Sequence, residues 1–166
     1  IQDARRHHIM VLPVDVNHSS WDHQILSSAD QQQPPIRLGL RLIKGLSEAA
    51  GQRIHTAQRQ RAFANVADLR QRACLDRGDM EALAAADALS GISGNRYQSH
   101  WQTMALEAHR PLLPHDSAAQ RSQEDAAVRA APTLPEDVVA DYQSTGLTLR
   151  SHPLTLLRHQ PPFDRC

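Results

Sequence analysis

The stretch from Ile36 to Trp101 limits what this chain can fold into more than any other. It opens Leu38-Gly39-Leu40-Arg41-Leu42-Ile43-Lys44-Gly45-Leu46-Ser47, which predicts two short helices joined by a tight glycine-bearing turn. Ile36 to Ile43 is the first helix, ending at Gly45. Ser47 caps the second, with Glu48 in its first turn and Leu46, Ala50, Ile54 and Ala57 as its apolar stripe. A second helix pair follows with a similar layout. Phe63 covers the start of a helix capped by Asn65, with Asp68 three residues on and Val66, Leu69 and Ala73 turned inward. Asp76 caps the next, again with an acid, Asp79, three residues on, and with Met80, Leu83 and Ala84 inward. Turns of this kind aim main-chain N–H groups at solvent beside a helix N-terminus. That arrangement binds phosphate, so nucleic acid is the first functional class indicated.

The flanks read less regularly. Ile1 to His8 is the end of a helix, and Ile9 to Leu12 is a short strand stopped by Pro13. The chain begins with Ile1, as a fragment or processed product would. Ser90 to Gly94 breaks the fourth helix, and a fifth runs from Asn95 to Ala108. Tyr97, Trp101, Met104, Ala105 and Ala108 share one face of it, which is expected to be core. Pro135 opens a last helix carrying Val138, Val139 and Tyr142, stopped at Gly146. Leu147 to Leu149 is extended, and Arg158 to Cys166 is expected to fray.

Net charge is +0, yet its distribution is uneven. From Arg37 to Arg61 the bases Arg37, Arg41, Lys44, Arg53, Arg59 and Arg61 face one acid, Glu48, a local charge of +5. From Glu107 to Asp141 the balance is −4. A basic centre of this kind is the electrostatic footprint of contact with a nucleic-acid backbone. Cys74 and Cys166 are far apart and form no CxxC pair, which argues against a disulfide framework or a zinc site. No apolar run approaches the length of a membrane span and no signal peptide is visible, so no membrane partner and a cytosolic location are expected.

The residues assigned to phosphate are Lys44, Gly45, Leu46 and Ser47, supported by Arg41 and Arg53. Gly45 permits close approach, Leu46 anchors the turn in the core, Ser47 adds a hydroxyl, and Lys44 neutralises charge. The second turn, Ala73-Cys74-Leu75-Asp76, keeps the apolar anchor but lacks glycine, and Asp76 would repel phosphate unless spent on capping. It reads as structural, with Cys74 packed inside. His7, His8, His18 and His23 lack metal-ligand spacing and read as surface residues; Asp15 and Asn17 read as turn formers. No complete catalytic constellation and no metal site is visible.

Taken in series, Arg37 to Ala50, Phe63 to Leu69, Met80 to Leu83 and Gly94-Asn95-Arg96 resemble the helix-hairpin-helix region of C-family bacterial DNA polymerases, those related to the polymerase III alpha subunit. Leu12 to Asn17 is similar to the end of the fingers, and Gly146 to Leu154 to the segment before an OB domain. Pro13-Val14-Asp15-Val16-Asn17 with Trp21-Asp22, and Leu149-Arg150-Ser151-His152-Pro153-Leu154, resemble the error-prone branch. Where the family carries glycine, Cys74 stands here.

The resemblance implies a mainly α fold: a tandem helix-hairpin-helix domain with a short N-terminal α/β remnant and a partly disordered C-terminal tail. The expected divisions are 1–28 as the end of the fingers, 29–35 as a polar linker, 36–110 as the DNA-binding domain, 111–134 as a second linker, and 135–166 as the segment before a missing OB domain. It also implies a parent enzyme that performs template-directed nucleotidyl transfer with Mg, in DNA repair and translesion synthesis. This chain lacks the catalytic palm, so it is expected to be inactive alone and to need no cofactor itself. Its expected partners are the double-stranded DNA backbone, the remainder of the polymerase chain, and other replication or mutagenesis proteins. Two rival readings stay open: a freestanding DNA-binding module, and a helical adaptor that uses the Tyr97/Trp101/Met104 face.

Overall fold

The computed structural model describes residues 2–27, 33–108 and 131–158. Helix α1 (Gln2–Arg6) leads into a small three-stranded sheet of β1 (Val11–Leu12), β2 (Gln24–Ile25) and β3 (Ile36–Arg37). β3 lies in the middle, parallel to β1 with Val11 opposite Ile36, and antiparallel to β2 with Ile25 opposite Ile36.

This corrects the helix expected from Ile36 to Ile43. Pro34 and Pro35 disfavour a helical approach. The Ile36 amide then donates to Met10 O at 2.8 Å and the Leu38 amide to Leu12 O at 3.1 Å, so the backbone is paired across the sheet. Only Leu40–Leu42 turns helically, as one 3-10 turn. It is tied down by Leu40 N to Ser20 O (2.9 Å) and Arg41 N to Trp21 O (3.0 Å). Close approach explains two glycines there: a Cβ on Gly39 would collide with the backbone of Trp21 and Asp22, and one on Gly51 with the Trp21 ring.

The next helices follow the sequence pattern. In α2 (Glu48–Gln60) Ser47 Oγ accepts from Ala50 N, and Ala50, Ile54 and Ala57 are buried. In α3 (Val66–Arg72) Asn65 accepts from Asp68 N, while the Asp68 carboxylate turns back to Ala64 N at 3.1 Å. In α4 (Arg77–Ala85) Asp76 and Asp79 form a full capping box. Leu40, Ile54, Leu69, Met80, Leu83 and Leu89 are the largest fully buried apolar side chains. Val14 and Val16 join the same cluster, so the N-terminal segment and the helices share one core.

Downstream, three expectations change. Ser90–Ser93 is not a break but a single helical turn, α5; the chain bends at 86–89 before it and at Gly94 after it. α6 (Arg96–Ala108) buries Arg96, Ser99 and Thr103 instead of the expected apolar stripe. Tyr97, Trp101 and Met104 are 40%, 47% and 49% exposed, and Ala105 is exposed as well. The small hydroxyl side chains allow close packing on α4 and α5. Ser99 Oγ donates to Asn95 O and Thr103 Oγ1 to Ser99 O, each at 2.9 Å, and the Ser99 hydroxyl also shares a hydrogen bond with the Ser93 hydroxyl of α5. Cys74, expected inside, is exposed.

α7 (Leu134–Ser144) opens with Thr133, whose amide and hydroxyl both donate to the Glu136 carboxylate. Those bonds hold Glu136 below the usual carboxylate range. α8 (Pro153–Arg158) closes the described chain and follows the helix expected to be the last; Pro153 stands at its first position. Residues 29–32 and 111–130 of the two expected linkers, and 159–166 of the expected frayed tail, lie outside the described residues. Among the described residues no helix is long and apolar enough to cross a membrane, and no three His, Cys, Asp or Glu side chains are grouped to hold a metal ion.

Candidate nucleic-acid interface

The first hairpin turns at Gly45, whose φ of +87° is the left-handed conformation that disfavours any residue with a Cβ. Leu46 drops into the core and its amide donates to Ile43 O at 3.3 Å. The amides of Gly45, Ser47, Glu48 and Ala49 meet no acceptor among the described residues. Glu48 and Ala49 belong to the set because the first turn of a helix has no intrahelical acceptor to offer. Gly45, Ser47, Glu48 and Ala49 are all exposed, so four main-chain donors face solvent at the positive end of a thirteen-residue helix.

Lys44 is placed differently from the expectation that it stands beside a phosphate. Its amide donates to Ser144 O at 2.9 Å, and its Nζ to Tyr142 O and Gln143 O at 3.0 Å each. Arg41 pairs with Asp22 at 2.8 Å, both half or more exposed. Arg53 reaches the second hairpin instead, with Nε on Ala73 O at 2.9 Å and Nη2 on Asp79 at 3.3 Å. The structure therefore brings Lys44, Gly45, Leu46 and Ser47 together and sets Arg53 apart.

The second hairpin has the same path, but the amides of its bend are used up. Cys74 takes the bend at φ +49°, in place of a glycine. The Cys74 amide donates to Gln71 O, the Leu75 amide to Arg70 O, and the Asp76 amide to the Asp79 carboxylate, at 3.4, 3.1 and 3.4 Å. Arg53, Arg72 and Cys74 line a shallow cavity of about 300 Å³ beside it.

Two such hairpins in tandem, the first with the bend amides of Gly45 and Ser47 open and the second with those of Cys74 and Asp76 bonded, correspond to a known family. The family model described as "Helix-hairpin-helix motif" matches residues 8–99. The chain belongs to the helix-hairpin-helix family. It is 46% identical over 169 residues to an error-prone DNA polymerase of Saccharophagus degradans, a match that takes in 100% of this chain and 16% of that protein. It is 49% identical over 168 residues to an error-prone DNA polymerase of Ralstonia nicotianae, covering 99% of this chain and 15% of that protein. A third, from Teredinibacter turnerae, is 45% identical over 168 residues and again covers 100% of this chain. The chain spans only 15–16% of the length of these relatives.

The electrostatics of the helix-hairpin-helix unit are milder than its sequence implies. Acids from outside residues 37–61 meet half of the bases: Asp22 takes Arg41, Asp79 takes Arg53, and Asp68 takes Arg61 at 3.1 Å. Arg37 donates to Pro13 O at 3.3 Å. The side chain of Arg59, near the end of α2, makes no ion pair or hydrogen bond among the described residues. The Asp68 carboxyl lies below its ordinary range, chiefly because Ala64 N donates to it, with Arg72 and Arg61 adding to the effect. Exposed pairs such as Arg41–Asp22 contribute about 0–1 kcal/mol, so a phosphate can replace Asp22 at little cost.

The hairpin is legible in the sequence, but its full donor set is missed there. A signal is present: Ser47 as cap forces the following amides of Glu48 and Ala49 to stand open. The partners of Lys44 lie almost a hundred residues away and leave no local signal.

Proposed function

We propose that this chain is a segment of an error-prone DNA polymerase and that its first hairpin holds duplex DNA by the sugar–phosphate backbone, without reading bases. The observation that carries the reading is the open set of amides at Gly45, Ser47, Glu48 and Ala49 on an exposed helix N-terminus. An anion there gains several main-chain N–H donors and the helix dipole, none of which depends on sequence. The relatives' shared name supports the polymerase setting. In the longer protein the reaction would be template-directed nucleotidyl transfer with Mg, past damaged bases, and this chain would contribute grip and no chemistry. The remaining polymerase chain and other mutagenesis proteins would be its partners in the cytoplasm.

Lys44→Glu is a poor test, because it also removes the cap of α7. Ala49→Asp is better. Ala49 is the exposed second residue of α2, and an acid there suits the helix while opposing phosphate. Ala67→Asp, at the exposed second position of α3, is the matched control for charge. Fluorescence anisotropy with duplexes of unrelated sequence should show Ala49→Asp weakening binding about tenfold at each, the worth of one charge-assisted hydrogen bond, and Ala67→Asp by less than about twofold. Equal effects of the two would remove the hairpin from the interface.

The exposure of Tyr97 and Met104 favours a second reading, a helical adaptor that docks this face on protein. It predicts partner binding that ignores both salt and Ala49→Asp.

A further inference from the structure

The first hairpin is covered on one side by a segment from far along the chain. α7 ends against it, and the last three carbonyls of that helix, Tyr142, Gln143 and Ser144, are all taken by Lys44. A helix C-terminus carries partial negative charge and open carbonyls, and a lysine satisfies both. Lys44 is also the base next to Gly45 in the chain, so the same ammonium is the cation that would meet a phosphate on Gly45 and Ser47. It cannot serve both at full strength.

α7 is held down by a network of ion pairs. Arg96 of α6 reaches Asp137 at 2.7 Å and also grips Asp141. Arg150 bridges Asp87, Asp137 and Asp141 at 3.0, 3.2 and 2.8 Å. Thr148 adds a 2.7 Å bond to Asp141. Among the apolar side chains of α7 Val138 is buried, whereas Leu134, Val139 and Tyr142 are exposed; in the turn beyond it Leu147 and Leu149 pack half-buried against the core. The docked segment 131–152 also carries more acid than base, with Glu136, Asp137 and Asp141 against Arg150. It therefore lowers the potential beside the hairpin while it holds the lysine.

We propose that α7 and the turn to Arg150 form an autoinhibitory strap: docked, it keeps Lys44 from the DNA phosphate, and released, it frees that lysine and tightens duplex binding. The proposal rests on the reading of the hairpin as a phosphate site and adds its regulation.

Arg150→Gln and Arg96→Gln test it, because each removes a positive charge. Charge alone predicts weaker DNA binding; strap release predicts tighter binding. Amide hydrogen exchange in the 166-residue chain reads release at Lys44 and along α7, and anisotropy with a short duplex reads affinity. The expected result is exchange at the Lys44 amide at least about tenfold faster and duplex binding up to about tenfold tighter, the worth of one charge-assisted hydrogen bond from the freed ammonium to phosphate. Arg150 is half-buried, so Arg150→Gln carries the test if Arg96→Gln does not fold. Faster exchange with unchanged or weaker binding overturns the strap, as does unchanged exchange at Lys44. Ala49→Asp added to each variant keeps the two readings apart: if it leaves binding intact with the strap docked and released, the hairpin reading is what fails.

Discussion

Arg96→Met puts a magnitude on the ion network that joins α7 to the helical core. Arg96 is 7% exposed and lies between Asp137 and Asp141, themselves nearly buried. In the intact protein three carboxylates, Asp87, Asp137 and Asp141, share two guanidiniums. Methionine fills much of the volume but leaves three carboxylates on Arg150 alone. Stranding buried charge in this way costs about 3–5 kcal/mol. The loss has a ceiling, because α7 can undock and rehydrate its carboxylates; the apolar anchor of the helix itself is Val138, worth about 1.5–3 kcal/mol, with half-buried Leu147 and Leu149 packed on the core just beyond it. Asp141→Asn has the opposite balance, leaving two carboxylates on two guanidiniums, and should cost only about 1–2 kcal/mol in weakened hydrogen bonds. Urea unfolding followed by far-UV circular dichroism reads both. Arg96→Met should lower the midpoint more and also lower the slope, since a chain already undocked at α7 exposes less new surface. If Asp141→Asn is as costly as Arg96→Met, the charge-balance reasoning is refuted.

The two hairpin bends predict substitutions of opposite sign. Gly45→Ala meets only Ala82 Cβ at 3.8 Å, so its cost is the left-handed backbone, about 1–2 kcal/mol, whereas Cys74→Gly relieves a similar strain and should stabilise by up to about 1 kcal/mol after glycine's entropy cost; thermal midpoints check both. Asp68 is held below the ordinary carboxylate range, so its contribution is complete above the unfolded-state value and is lost as pH falls through the folded one. Asp68→Asn should therefore destabilise near neutral pH and make little difference in strong acid, which urea midpoints at the two ends will show. The dependence of duplex affinity on salt should be shallow, with a log–log slope of about −1 to −2, because main-chain donors release few counterions; a slope near −5 would mean that the arginines, and not the hairpin, make the contact.

Much of the helical unit is legible in the sequence because its determinants are local. Ser47, Asn65 and Asp76 each satisfy amides three residues ahead, and Leu46, Ala50, Ile54 and Ala57 lie on one face at fixed spacing. What escapes depends on distant partners. Ile36 and Arg37 are a strand because Met10 and Leu12, some two dozen residues earlier, accept the amides of Ile36 and Leu38. α6 shows the expected period but the opposite face, since Arg96 is drawn inward by Asp137 and Asp141 from beyond the segment 109–130. The basic centre spans a window of sequence that excludes Asp22, Asp68 and Asp79, the acids that meet it in space. Lys44 neighbours Gly45 in sequence, while its hydrogen bonds go to the end of α7.

The most direct test follows each backbone amide of the nitrogen-15-labelled chain by NMR while short duplexes of unrelated sequence are added. The amide signals of Gly45, Ser47, Glu48 and Ala49 should move together and alike for every duplex, while those of Cys74, Leu75 and Asp76, already donated within the fold, stay still. If the second set moves and the first does not, DNA is held elsewhere and the hairpin at Gly45 is only a turn.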